Sequence, residues 1–144
     1  MARERLLISA CLLGVFCKYD GSRKAQPWVS RLLERYELIP VCPEVLGGLP
    51  TPRPPAERRG DRVVTQAGGD VTDAYATGAA ETLRLAELYG CTRAILKERS
   101  PSCGAGACYD GSFTHTCVPR DGVTAELLRA HGITVLGESQ AETL

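Results

Sequence analysis

Arg93-Ala94-Ile95-Leu96-Lys97 runs into Ser100-Pro101-Ser102-Cys103-Gly104, and this stretch organises the reading of the whole chain. A short apolar β-run delivers a cysteine into a tight turn closed by glycine, where backbone can come close to a bound group. Two earlier segments repeat the arrangement. Leu6-Leu7-Ile8-Ser9-Ala10 delivers Cys11, and Leu38-Ile39-Pro40-Val41 delivers Cys42. Three strand ends, each presenting one thiol, read as a set that converges on one metal centre.

Outward from these strands the chain alternates. Leu6–Ala10 is a continuous apolar run, as expected of a strand buried on both faces. A loop from Cys11 to Pro27 follows, carrying Gly14, Cys17 and Tyr19-Asp20-Gly21. A short helix is predicted over Pro27–Tyr36, with Val29, Leu32, Leu33 and Tyr36 on one face. Leu38–Val41 is the second strand. Pro43 to Gly69 is the least regular part, stiffened by prolines 43, 50, 52, 54 and 55, with a small β-segment at Arg62–Thr65. Thr72 is the expected N-cap of the longest helix, Asp73–Tyr89. Its close-packing face is read as Ala76, Ala79, Ala80, Leu83 and Ala86, and Gly90 ends it. After Arg93–Lys97, a loop rich in glycine and cysteine extends to Gly122, with Tyr109–Thr116 as a hairpin between Cys108 and Cys117. Thr124 caps a last helix, Ala125–His131, and Ile133–Leu136 is the fourth strand.

That order predicts an α/β fold: one domain over residues 1–144, a mostly parallel four-stranded sheet flanked by helices, Rossmann-like in outline. In such sheets the ligand site lies beyond the carboxyl ends of the strands. All three strand-end cysteines fall on that edge.

Composition narrows the function. At 144 residues the chain has length enough for an ordinary core without staples. Seventeen basic residues offset seventeen acidic ones, which argues against a broad nucleic-acid surface but permits one small nucleobase-like substrate. No run approaches the roughly 18 apolar residues of a membrane span. Arg3, Arg5 and the following Leu6-Leu7-Ile8 before Cys11 imitate a lipoprotein signal. The apolar run is too short for an exported segment, so a cytoplasmic first strand is expected. Seven cysteines without a Cys-x-x-Cys pair, in a chain rich in helix and strand, point to metal or thiol chemistry rather than a disulfide framework.

Two metal readings compete for Cys11, Cys42 and Cys103. Zinc with three thiolates would recruit a fourth protein ligand. An iron–sulfur cluster held by three cysteines would leave one iron open. Three unrelated buried thiols are the bland alternative, because free cysteine is a frequent core residue. Cys17 offers a fourth ligand, a reactive thiol or an ordinary loop cysteine. Glu44, two residues beyond Cys42, offers a general acid or base. Ser100 can orient a substrate or serve only its turn. Arg53 and Glu57 can bind a polar substrate edge or pair with each other, and Ser102 joins Arg53 as a candidate substrate contact. His115 is a weak ligand candidate, and His131 reads as a helix C-terminal charge partner.

Several runs resemble one small bacterial family. They are Ile8-Ser9-Ala10-Cys11-Leu12-Leu13-Gly14, Cys17-Lys18-Tyr19-Asp20-Gly21, Pro40-Val41-Cys42-Pro43-Glu44, Gly47-Gly48-Leu49-Pro50-Thr51-Pro52-Arg53-Pro54-Pro55-Ala56-Glu57, Gly69-Asp70-Val71-Thr72, and Leu96-Lys97 with Ser100–Gly104. Nearly the whole chain, in order, resembles the thiouracil desulfidases, once known only as a bacterial domain of unknown function. Lys18 stands where the family usually has arginine.

The resemblance implies a [4Fe-4S] cluster bound by three cysteines, carried over to Cys11, Cys42 and Cys103, with the fourth iron free for a thiocarbonyl sulfur. It implies catalytic positions at Glu44 and Ser100, and it includes Cys17 without fixing its role. The expected activity is non-redox removal of sulfur from thiouracil or a related thiolated base. The expected partner is a small thiolated pyrimidine, with no nucleic acid or membrane, acting on a monomer or homodimer. An iron–sulfur sensor or sulfur carrier without catalysis, and a zinc-stabilised domain, are the alternatives.

Overall fold

A computed structural model describes residues 3–22 and 25–144 of the protein; Arg23 and Lys24, inside the expected loop 11–27, lie outside the described residues, as do the first two positions of the expected domain. Its centre is a four-stranded sheet of β1 (Glu4–Ser9), β2 (Tyr36–Val41), β5 (Arg93–Leu96) and β8 (Thr134–Gly137), in the order β2-β1-β5-β8. Every pair is parallel, with Leu6 opposite Leu38, Ile8 opposite Ile95, and Ile95 opposite Leu136. The expected α/β architecture is the observed one.

The apolar runs form strands because both faces of the sheet are covered. Side chains alternate across a strand, so successive residues enter different cores. Leu6, Ile8 and Ile95 pack with Leu32, Tyr36, Ala141 and Leu144 on one face. Leu7, Ala94 and Leu96 pack with Leu83, Ala86, Ala125 and Leu128 on the other. Leu6, Leu7, Ile8, Ile95 and Leu96 are all 0% exposed, which makes the two adjacent central strands β1 and β5 a rigid base. The first face is covered by α1 (Val29–Arg35) and a C-terminal 3-10 turn, the second by α3 (Thr72–Tyr89) and α4 (Val123–Ala130).

Several boundaries move for local reasons. Helix α1 gives way at Tyr36, which is already extended and buried in β2, and Leu33 faces solvent, 51% exposed, instead of sharing the face of Leu32. The expected irregular stretch 43–69 contains a one-turn helix, α2 (Pro43–Leu46), and an antiparallel hairpin of β3 (Ala56–Arg59) and β4 (Arg62–Thr65). Thr72 does not cap α3; its Oγ1 accepts the Val63 N–H at 2.9 Å, and Val71 occupies the cap position. The buried face of α3 is Tyr75, Gly78, Ala79, Thr82, Leu83 and Ala86, while Ala76 and Ala80 point to solvent. Thr124 lies inside α4, where Gly122 is the cap and the Thr124 hydroxyl turns inward to Ser102. Ile133 precedes β8 rather than starting it. Gly90 ends α3 in the left-handed region at φ 68°, as glycine permits.

Two contacts fix α2 on α3. A Cβ at Gly78 would fall 1.8 Å from the Pro43 carbonyl oxygen, and one at Gly47 would fall 2.0 Å from that of Ala74. Backbone meets backbone there, which only glycine allows. The segment that follows β5 carries a second small hairpin, β6 (Cys108–Tyr109) with β7 (Cys117–Val118), near the expected position.

Candidate active site

Each of the three neighbouring strands β2, β1 and β5 ends on the same edge of the sheet, and each feeds a short turn. β1 runs into a 3-10 turn, Ala10–Leu12, that carries Cys11; β2 runs into α2, with Cys42 at its cap and Glu44 in its first turn; β5 leads through Lys97 to the turn holding Cys103. Parallel strands lie about 4.8 Å apart, so adjacency in the sheet brings together thiols far apart in sequence. Cys11, Cys17, Cys42 and Cys103 line one cavity of about 420 Å³, together with Glu44 and Ser100. All seven cysteines are free.

The four thiols differ in environment. A hydrogen bond with the neighbouring Cys17 draws the Cys42 thiol down to about 6 against the opposing effect of burial, and the Cys42 Sγ lies 3.7 Å from the Cys17 carbonyl oxygen. The same donor holds Cys11 below the ordinary thiol range, with Lys97 and Lys18 adding positive charge. Cys17, donating to both, is pushed far up and stays protonated. Burial also pushes Cys103 up, partly countered by a hydrogen bond from the Ser9 hydroxyl. The shifts at Cys11 and Cys42 both favour the thiolate, the form that binds metal. Ser9 in turn accepts the Lys97 N–H at 2.9 Å, tying the end of β1 to the end of β5.

Among the described residues, Glu44 is held through one oxygen only. Its Oε1 accepts the Tyr75 O–H at 2.6 Å and the Arg53 Nε–H at 3.1 Å. Both donors are consumed by this oxygen, which leaves Oε2 for a substrate or a water. Burial and the Glu44 charge push the Tyr75 phenol far up, so it remains a donor. Arg53 is half-spent elsewhere as well: Nη2 donates to the Cys17 carbonyl at 2.8 Å, and Nη1 reaches the Pro50 carbonyl and Thr51 Oγ1. The guanidinium thus pairs with Glu44 and braces two loops, and it does not pair with Glu57.

Ser100 Oγ accepts the N–H groups of Ser102 and Cys103 at 3.1 and 3.0 Å, so its own proton is available to donate into the cavity. Ser102 is not brought there: it is 0% exposed, with its Oγ 2.7 Å from that of Thr124. Cys91 and Cys108 are buried and do not line this cavity, while His131 closes α4.

Sequence reading passed over Ser9, Tyr75, Tyr109 and Phe113, which also line the cavity; His115, read there as a weak ligand candidate, lines it too. Tyr75 was findable, since it sits four residues before Ala79 on the same helical face.

The donor set can be tested against the metals considered. Among the described residues, no three His, Cys, Asp or Glu side chains close around a point that could hold a single metal ion. A mononuclear zinc site needs such closure, with each sulfur about 2.3 Å from the ion. Thiols from three separate strand ends around a cavity of about 420 Å³ suit a cluster, in which each thiolate binds a different iron. Among the described residues no helix is long and apolar enough to cross a membrane.

Comparison with known proteins follows the same line. The chain is 41% identical over 145 residues to the uncharacterized protein YbbK of Bacillus subtilis (strain 168), covering 94% of this chain and 96% of that one. It is similar to a solved structure described as the [4Fe-4S]-dependent thiouracil desulfidase TudS, at 46% identity and a TM-score of 0.92 over 99% of this chain and 95% of that one. The family model for 2-thiouracil desulfurase matches residues 6–140, and the chain belongs to that family.

Proposed function

We infer that residues 1–144 act as a single iron–sulfur-dependent desulfidase domain that removes sulfur from thiouracil or a closely related thiolated pyrimidine. One observation carries the reading: free thiols from three adjacent strand ends share a cavity with a carboxylate whose second oxygen is left for chemistry. The family and the desulfidase that this chain is similar to support it.

Cys11, Cys42 and Cys103 would hold the cluster, one from each strand end, with Cys17 hydrogen-bonded beside two of them as a protonated thiol. When bound, such a cluster supplies an open iron that acts as a Lewis acid toward a thiocarbonyl sulfur. The overall exchange is hydrolytic. A water oxygen replaces sulfur on the ring carbon, both water hydrogens leave with the sulfur, and no electron changes hands.

The chain's own groups then have defined work. Tyr75 and Arg53 fix Glu44 through Oε1. Oε2 takes a proton from the attacking water and returns it toward the departing sulfur. The Ser100 hydroxyl, with its oxygen already bonded to two N–H groups, donates its proton to the oxygen arriving on the ring. Lys18 and Lys97 lower the cost of collecting thiolates at the sheet edge.

The test is anaerobic reconstitution with iron and sulfide, followed by assay on thiouracil. The protein is expected to acquire a broad visible absorption and to release uracil, and Cys103→Ala is expected to lose both. Full turnover in a Cys103→Ala protein would overturn the reading.

A further inference from the structure

Strand β3 grips the segment above the cavity with alternate side chains. Glu57 and Arg59 lie on one face of the strand, two residues apart, and Arg58 lies on the other. Arg58 turns down to α4, donating to the Asp121 carbonyl at 2.8 Å and to Glu126. Glu57 and Arg59 turn the other way, onto the strap formed by residues 110–116. Glu57 is 7% exposed, and its Oε1 accepts the N–H groups of both Gly111 and Phe113, at 3.0 and 3.1 Å. Arg59 Nη2 donates to the Gly111 carbonyl at 2.6 Å.

The strap is held in a conformation it would not choose alone. Phe113 and His115 have φ of 60° and 59°, a region that side chains other than glycine seldom enter. Such backbone persists only where its surroundings over-determine it, and it concentrates at sites of function. Here Glu57 does the over-determining, since one buried oxygen takes the N–H groups on either side of Ser112. The strap's outer side closes on itself through hydroxyls, from Ser112 to Thr114 at 2.6 Å and from Thr114 to Thr116 at 2.8 Å. Its inner side presents Tyr109, Phe113 and His115 to the cavity, with the Tyr109 and His115 rings edge-to-face at 5.5 Å.

We propose that this strap, pinned by Glu57, is the substrate-selecting wall of the site, and that Phe113 with its aromatic neighbours supplies a surface on which a planar ring lies while its sulfur reaches the thiols. The inference rests on the desulfidase reading and adds to it the residues that choose the ring. Glu57 is a positioning residue: it fixes the wall and does no chemistry. A flat heteroaromatic base is the class such a wall takes, because every base has a face that stacks.

The test uses iron-loaded protein in four forms: wild type, Phe113→Ala, Glu57→Ala and Glu57→Gln. Iron and sulfide content, KM and kcat on thiouracil, and the Kd of uracil by calorimetry are measured on each. Phe113→Ala is expected to raise KM and the uracil Kd about tenfold, the scale of one lost base–aromatic contact, with kcat and cluster content unchanged. Glu57→Ala is expected to do the same and to open residues 110–116 to limited proteolysis. Glu57→Gln keeps an acceptor oxygen and is expected to stay within about twofold of wild type. A wild type that loads iron but leaves thiouracil intact overturns the activity reading. A competent wild type whose Phe113→Ala form keeps its KM and Kd, or loses kcat alone, overturns the wall. A Glu57→Gln protein as impaired as Glu57→Ala overturns the clamp.

Discussion

The floor and the roof of the cavity are built by different means. The floor is the carboxyl edge of β2, β1 and β5, whose backbones are locked by parallel ladders and whose residues Leu6, Leu7, Ile8, Ile95 and Leu96 are wholly buried. The roof is two short hairpins, β3–β4 and the two-residue β6–β7, with the strap between the latter pair. Isolated two-stranded hairpins are marginal in water. Side chains make up what backbone pairing lacks: Arg58 ties the roof to α4, while Glu57 and Arg59 tie the strap to β3. Ladders fix the strand ends from which the thiols are carried, whereas a roof held by a few side chains can be altered without disturbing those ends. The floor is accordingly assigned the reaction and the roof the choice of substrate.

If that division is right, changes to the floor strike kcat. The largest effect is expected for Glu44→Gln, which keeps size and shape but cannot take a proton. Turnover should fall by about a hundredfold or more, the usual reach of a positioned acid–base group. Cluster content, read as iron and sulfide per chain, should not change; a variant with wild-type kcat removes Glu44 from the reaction. Next is Gly78→Ala. A methyl group 1.8 Å from the Pro43 carbonyl oxygen must push α2 off α3, and with it Cys42 and Glu44. The cost should be about 3 kcal/mol in urea unfolding, at the upper end for overpacking. The comparison breaks if Gly78→Ala unfolds like wild type and keeps its kcat.

The same division explains what could be read from sequence. Strands buried on both faces declare themselves as apolar runs, and a cysteine followed by a turn marks where each run ends, so Cys11, Cys42 and Cys103 were legible together. Position within the floor was less so. Arg53 and Glu57 lie four residues apart and look like natural partners. Yet the proline-stiffened 50–55 stretch carries Arg53 beneath α2 to Glu44, and the hairpin turns Glu57 toward residues 111–113. Ser102 shares a turn with Ser100, Pro101 and Cys103, which line the cavity, but its own hydroxyl turns the other way, to Thr124. Tyr75 shares its helical face with Ala79, yet the alanines drew the reading to close packing, which Gly78 and Ala79 supply, and away from the phenol. The roof had no periodicity to read, since strands of two to four residues are too short to show one.

Two smaller effects sharpen the contrast. Tyr75→Phe removes one of the two donors on Glu44 Oε1 while leaving Arg53 in place. A hydrogen bond to a charged group contributes about 1.5–3 kcal/mol, so kcat should fall about tenfold with KM unchanged. In the Glu44→Gln background the same substitution should cost far less, because the group it orients no longer accepts a proton. Equal costs in both backgrounds would show that Tyr75 acts independently of Glu44.

The smallest effect is expected at the outer edge of the roof, where Arg62 pairs with Asp70 at 2.7 Å with 74% and 43% of their side chains exposed. Distance alone would rank this ion pair with the tightest in the molecule, yet both groups remain in water, where attraction is screened and ordering two side chains costs entropy. Asp70 is independently tied to α3 by the Thr72 N–H at 2.9 Å, so the turn keeps its anchor when Arg62 is lost. Arg62→Ala should therefore leave KM for thiouracil and the unfolding midpoint at wild-type values, KM within about twofold. A clear rise in KM would mean that the strap depends on the whole β3–β4 hairpin being rigid, and that Glu57 clamps it only as one contact among several.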